Sequence, residues 1–113
     1  PDDKEIPELL VQISGLGMQT GLEFTLFKPT GEQRKDFYAE IPVEIEVFGG
    51  YHQVARFFDR ISKLPRIVNI TNLSMGEPKV VQGQVVLKTR CMTTTYRSLE
   101  SQDGSAQEVK PGE

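Results

Sequence analysis

The chain has 113 residues, 26% of them charged, with 13 Lys/Arg against 16 Asp/Glu for a net charge of −3. That is one domain's worth of chain, large enough for a single core of two packed layers without a disulfide or a metal. One cysteine and one histidine leave no internal disulfide and no ligand set for a structural zinc. No apolar run approaches the roughly 20 residues needed to cross a bilayer.

The charge is unevenly placed. Residues 1–97 hold 12 Lys/Arg and 12 Asp/Glu, whereas 98–113 hold one Lys and four acids, so the −3 belongs to the C-terminal segment. A neutral domain lacks the basic face that phosphate neutralisation demands, which argues against a nucleic-acid partner. The sequence opens on Pro1 without a basic-apolar-small signal pattern. The expectation is a fragment or processed form whose targeting segment, and any membrane attachment, lies upstream.

The first element is predicted from Pro7, with Ile6, Leu9, Leu10, Ile13 and Leu16 on one stripe. Proline suits the first helical position and Glu8 suits the positive end of the dipole. Gly17 or Gly21 ends this helix, glycine being the residue best able to take a left-handed C-terminal conformation. A strand is then read from Leu22, Phe24 and Leu26 alternating with Glu23, Thr25 and Phe27. Lys28-Pro29-Thr30-Gly31 turns it off, and residues 28–37 read as one polar loop. From Ala39 the alternation resumes, with Ile41, Val43, Ile45 and Val47 on one side and Glu40, Pro42, Glu44, Glu46 and Phe48 on the other.

Gly49-Gly50 leads into the strongest helix of the chain. Val54, Phe57, Phe58, Ile61 and Leu64 form its apolar stripe, and Pro65 stops it at Leu64. A third strand is predicted over Ile67–Met75, with a change of phase near Thr71-Asn72 that calls for a bulge. Gly76-Glu77-Pro78-Lys79 reads as the turn, and a last strand runs from about Val80 to Tyr96. Residues 98–113 have no apolar periodicity and read as a disordered acidic tail.

The order helix, strand, strand, helix, strand, strand predicts an α+β fold. Specifically, it predicts a two-layer ferredoxin-like sandwich, αββαββ, whose four-stranded antiparallel sheet carries two helices on one face. The expected strand order is third-fourth-second-first. Glu44 and Glu46 would then face Lys88 and Arg90 across the helix-free side, each pair contributing roughly 0.2–1 kcal/mol.

Catalytic groups do not converge in this reading. His52 is expected on the surface, Cys91 points inward as a small apolar residue, and Glu40, Glu44 and Glu46 line a solvated face. Two glycosylation triplets, Asn69-Ile-Thr and Asn72-Leu-Ser, lie in a predicted strand and carry little information. The central strands lack the aromatics that would stack RNA bases.

Several stretches together resemble a known family: Phe27-Lys-Pro, Tyr38 to Gly49, Gly50-Tyr51, Phe57-Phe58, Leu64-Pro-Arg-Ile-Val68 and Thr95-Tyr96. Over about residues 6–97 the chain is similar to the periplasmic globular domain of the PilO family of type IV pilus alignment proteins. The resemblance implies no catalysis and no cofactor. It implies a scaffold on an inner-membrane protein, one that pairs with a PilN-like partner, self-associates, engages a PilP-like lipoprotein and links the motor platform to the outer-membrane secretin. Gly50, Tyr51, Phe57, Phe58, Pro65 and Arg66 would be the fold-determining motif, with Arg66 suited to an added contact role. A GspM-like type II secretion scaffold, or a ferredoxin-like small-molecule regulatory module, would share the architecture.

The first and third predicted strands are the sheet edges, and neither carries a lysine within its apolar run. Their unpaired backbone groups could add a strand from a partner, with Leu22, Phe24, Phe27, Ile67, Asn69 and Leu73 as the candidate interface.

Overall fold

The computed structural model describes residues 8–99, and the expectations for Ile6, Pro7 and the acidic tail beyond Leu99 lie outside them. The elements are α1 (Glu8–Gln19), β1 (Glu23–Pro29), β2 (Gln33–Arg34), β3 (Tyr38–Gly49), α2 (Tyr51–Ser62), β4 (Asn69–Val81) and β5 (Gln84–Ser98). All strand pairs are antiparallel, in the order β1-β3-β5-β4, with β2 pairing β3 beyond the end of β1. The four principal strands therefore occupy the expected order. The sheet nevertheless has five strands, because Gln33 and Arg34 pair with Glu40 and Ala39 inside the segment read as a loop.

α1 ends as its sequence dictates. Gly21 takes φ +86, the Gly21 N–H donates to the Met18 carbonyl at 3.1 Å, and the Leu22 N–H donates to the Gly17 carbonyl at 3.0 Å. This Schellman arrangement satisfies the last carbonyls and turns Leu22 back into the core. α2 starts at Gly50, whose N–H donates to Gln53 Oε1 at 2.8 Å, and stops before Pro65.

Between the layers lie Leu9, Leu10 and Ile13 of α1, Ile41, Val43, Ile45 and Val47 of β3, Val54, Phe57 and Ile61 of α2, and Cys91 of β5. β3 alternates strictly between buried and half-exposed residues, as expected of a strand with helices on one side only. Phe57 is 1% exposed, and burying such a ring stabilises by about 1.5–3 kcal/mol. It meets Phe24 edge-on at 6.1 Å between centroids, and Phe24 meets Phe27 at 5.7 Å.

Three expectations are corrected by register. In β1 an extra residue at Thr25 shifts the pairing, so Leu26 lies opposite Glu46 and Phe27 opposite the buried Ile45. Phe27, expected outside, is therefore on the helix side. Gly76–Lys79 is not a turn: β4 runs on to Val81, and the reversal is the two-residue turn Gln82-Gly83, with φ 52 and 78. Both angles are positive, as a hairpin turn matching the strand twist requires. Third, Lys88 stands opposite Phe48 and reaches Glu77 at 3.1 Å instead of a glutamate of β3.

The predicted bulge near Thr71-Asn72 is present, and a second follows it. Asn72-Leu73 together oppose Cys91, and Glu77-Pro78 together oppose Leu87, with Asn72 at φ 55 and Glu77 at φ 51.

Candidate functional site

The chemistry-bearing residues do not converge. His52 is exposed at the start of α2, its ring edge-on to Tyr51 at 5.9 Å. Cys91 is 5% exposed; burial pushes its thiol pKa up, opposed by the Thr93 hydroxyl 3.6 Å from the sulfur. A protonated, inaccessible thiol is a poor nucleophile. Among the described residues no three His, Cys, Asp or Glu side chains gather as a metal site.

The helix-free face of the sheet is built of cross-strand polar pairs. Arg90 joins Glu44 at 3.2 Å and Glu46 at 3.3 Å, and Thr25 donates to Glu46 Oε2 at 2.7 Å. Lys79 stands over the Phe48 ring, 5.5 Å from its centroid. Two open depressions lie on this face, one lined by Glu44, Asn72, Ser74 and Arg90, the other by Glu23, Phe48, Lys79 and Val86. Their carboxylates and cations answer one another, and nothing in either is a buried polar group aimed at a ligand.

What the fold does expose is strand edge and apolar side chain. β1 and β4 are the outer strands. Leu22 is 6% exposed, and Phe24 and Phe27 pack against the core, so β1 presents backbone to a partner while these side chains anchor it from within. On the opposite side Ile67 is 73% and Leu73 50% exposed, and the Asn69 amide donates to the Tyr96 hydroxyl at 2.9 Å. Of the proposed fold-determining set, Phe57 and Phe58 are packed and Gly50 caps α2, whereas Tyr51, Pro65 and Arg66 are exposed.

Sequence reasoning missed the far end of the β4–β5 hairpin. Val80, Val81 and Val85 are all at least 47% exposed there, beyond the cover of the helices. A signal existed: Val80-Val81 and Val85-Val86 flank Gln82-Gly83 symmetrically, the pattern of two strand ends around a glycine turn.

A small α+β domain with open strand edges, apolar surface patches and no convergent polar site is, by construction, a protein-interaction module. Which one it is follows from comparison with known proteins. The family model "Type IVa pilus alignment subcomplex PilO C-terminal domain" matches residues 5–100, so the chain belongs to the PilO family. It is 38% identical over 97 residues to the type IV pilus inner membrane component PilO of Pseudomonas aeruginosa. The match covers 86% of this chain and 46% of that protein, so the chain spans about half the length of the curated relative.

Two solved structures from the same organism are similar. The crystal structure of the type 4 fimbrial biogenesis protein PilO superposes with a TM-score of 0.70 at 38% identity, covering 87% of this chain and 72% of that one. The core region of PilO superposes with a TM-score of 0.68 at 38% identity, covering 82% of this chain and 94% of that one. The chain is thus a PilO homologue of the type IV pilus system.

Proposed function

We propose that this domain is a non-catalytic scaffold of type IV pilus assembly, lying in the periplasm as part of a larger inner-membrane protein. In this reading it pairs with a PilN-like partner and with its own kind, engages a PilP-like lipoprotein, and connects the motor platform to the outer-membrane secretin. The observation that carries the reading is its correspondence to 94% of the PilO core-region structure at 38% identity. The absence of a convergent polar site among the described residues is in keeping with it.

The architecture is read as a ferredoxin-like sandwich with a short added strand, the αββαββ order being preserved around β2. Partner binding then falls to the β1 and β4 edges. Leu22, Phe24 and Phe27 hold the first edge flat from the core side, while Ile67, Asn69 and Leu73 lie along the second. Arg66, exposed just after α2, is suited to a polar contact beside that second edge. The remaining motif residues act on the fold.

The test is a domain exchange. This chain replaces the corresponding segment of the P. aeruginosa relative in a strain lacking that protein, and surface pili and co-purification of a PilN-like partner are scored. Restored pili with partner recovery are expected. A stably expressed, folded chimera that recovers neither would refute the scaffold role.

A further inference from the structure

The two helices do not cover the whole sheet. α1 rests against β1 and α2 against β5, and most β4 residues are exposed. Directly opposed residues of an antiparallel pair share a face. Thr93 and Thr89 are buried beneath the helices, so their partners Ile70 and Met75 also lie on the helix side of the sheet. Val80 and its partner Val85 continue that row toward the turn. Leu73 and Pro78 occur at the bulged positions opposite Cys91 and Leu87, while Glu77 is drawn to Lys88 on the other face.

The wall of this uncovered strip is a flank of α2. Gln53 points toward Gly21 on the β1 side, where its amide meets the Gly21 carbonyl at 3.4 Å. At 3.6 residues per turn the opposite flank carries Tyr51, Ala55, Phe58 and Ser62. None is charged. The basic residues Arg56, Arg60 and Lys63 fall on the Gln53 side or the outer surface of the helix. The result is a ledge over β4 with an apolar floor and an uncharged wall, on which Tyr51 is 61%, Val80 73%, Val85 59%, Leu73 50% and Met75 40% exposed.

We propose that a second copy of this chain occupies the ledge, the two β4 strands lying face to face about a twofold axis that runs along them. Stacked sheets sit about 10 Å apart, close to the roughly 10 Å width of a helix, so the partner's β4 enters the space a third helix would fill. The outer edge of each β4 then meets the α2 flank of the other copy. The five exposed side chains offer roughly 600 Å² per protomer, or about 1,200 Å² in all, the lower end of the range for specific interfaces. Identical surfaces that carry no charge meet without repulsion, and a twofold contact closes at two copies.

Pairing through the face also fits what the edge of β4 cannot do well. Bulges at Asn72 and Glu77, each with positive φ, interrupt its free backbone groups twice within the strand. A second copy hydrogen-bonding along that edge would lose register at both places, whereas face packing is indifferent to them. The inference deepens the scaffold reading by assigning the surface for self-association, yet it stands or falls on its own measurement.

That measurement is sedimentation equilibrium of the chain from micromolar to millimolar concentration, on wild type, Val80→Glu, Met75→Glu and the control Val11→Glu. Val11 is 58% exposed on α1, away from the ledge. Expected is a wild-type dimer whose dissociation constant rises at least about tenfold in Val80→Glu and in Met75→Glu, equivalent to about 1.4 kcal/mol, and is unchanged in Val11→Glu. Circular dichroism melts monitor folding of each variant. A wild type that stays monomeric throughout overturns the pairing, as do ledge variants that are folded and dimerise like wild type, or a control that dissociates. A monomeric chain that still restores pili would remove this pairing and leave the scaffold role intact; a dimer of the expected behaviour with no pili would do the reverse.

Discussion

Gly17→Ala sets two known effects against each other on one helix. Alanine in place of glycine inside a helix ordinarily stabilises by about 0.5–1 kcal/mol. At Gly17 a Cβ would lie 2.5 Å from Phe24 Cζ and closer still to Cε1, with Phe57 Cε1 at 3.4 Å. The Phe24 ring cannot simply withdraw, because Phe27 and Phe57 stand edge-on to it on either side. Overpacking of this kind costs about 1–3 kcal/mol, so the net expectation is a loss of about 1–2 kcal/mol. For a domain of this size that lowers Tm by about 5–15 °C. Gly15→Ala supplies the contrast: nothing lies within 4 Å of its added Cβ, so only the helix-propensity gain remains and Tm should rise by a few degrees. Thermal melts by circular dichroism decide the matter. A Gly17→Ala variant at least as stable as wild type would refute the claim that α1 and β1 are held at glycine distance.

Two further outcomes follow from the buried row of β5. Thr89 is 1% exposed and its hydroxyl has no hydrogen-bond partner, so the near-isosteric Thr89→Val should raise stability by about 1–2 kcal/mol in urea unfolding; Thr93→Val, whose hydroxyl faces the Cys91 sulfur, should gain less. Cys91 has a folded-state thiol pKa raised by burial, so its contribution to stability is complete below the ordinary thiol range and is lost as pH rises through about 8.5 and beyond. The difference in unfolding free energy between wild type and Cys91→Ala should accordingly shrink between neutral and strongly alkaline pH, and a difference that grows would contradict the assignment.

Local sequence carried much of this molecule. The stripe Val54, Phe57 and Ile61 and the stop at Pro65 define α2, and strict alternation from Ile41 to Val47 defines β3. Gly21 closes α1 through a conformation glycine adopts without strain. These features depend on period, on missing donors and on permitted dihedrals, all of which belong to a residue and its near neighbours. The sheet order followed from them because short connections and right-handed crossovers leave few alternatives.

Tertiary structure decided phase and cover. Whether Leu26 or Phe27 turns inward depends on the extra residue at Thr25, and an extra residue exists only relative to β3. Likewise Gly76-Glu77-Pro78 looks like a turn when read alone, yet pairing with β5 carries the strand through it as a bulge and delays the reversal to Gln82-Gly83. The two-residue β2 is too short to have a period at all and exists through its ladder to β3. Most consequential is the helix layer: each apolar residue of β4 reads in sequence as a core residue, and only the placement of α1 and α2 determines that Met75, Val80 and Leu73 stay uncovered. Sequence fixes which side chains avoid water, whereas the packing of the layers determines which of them the monomer leaves for another surface to cover.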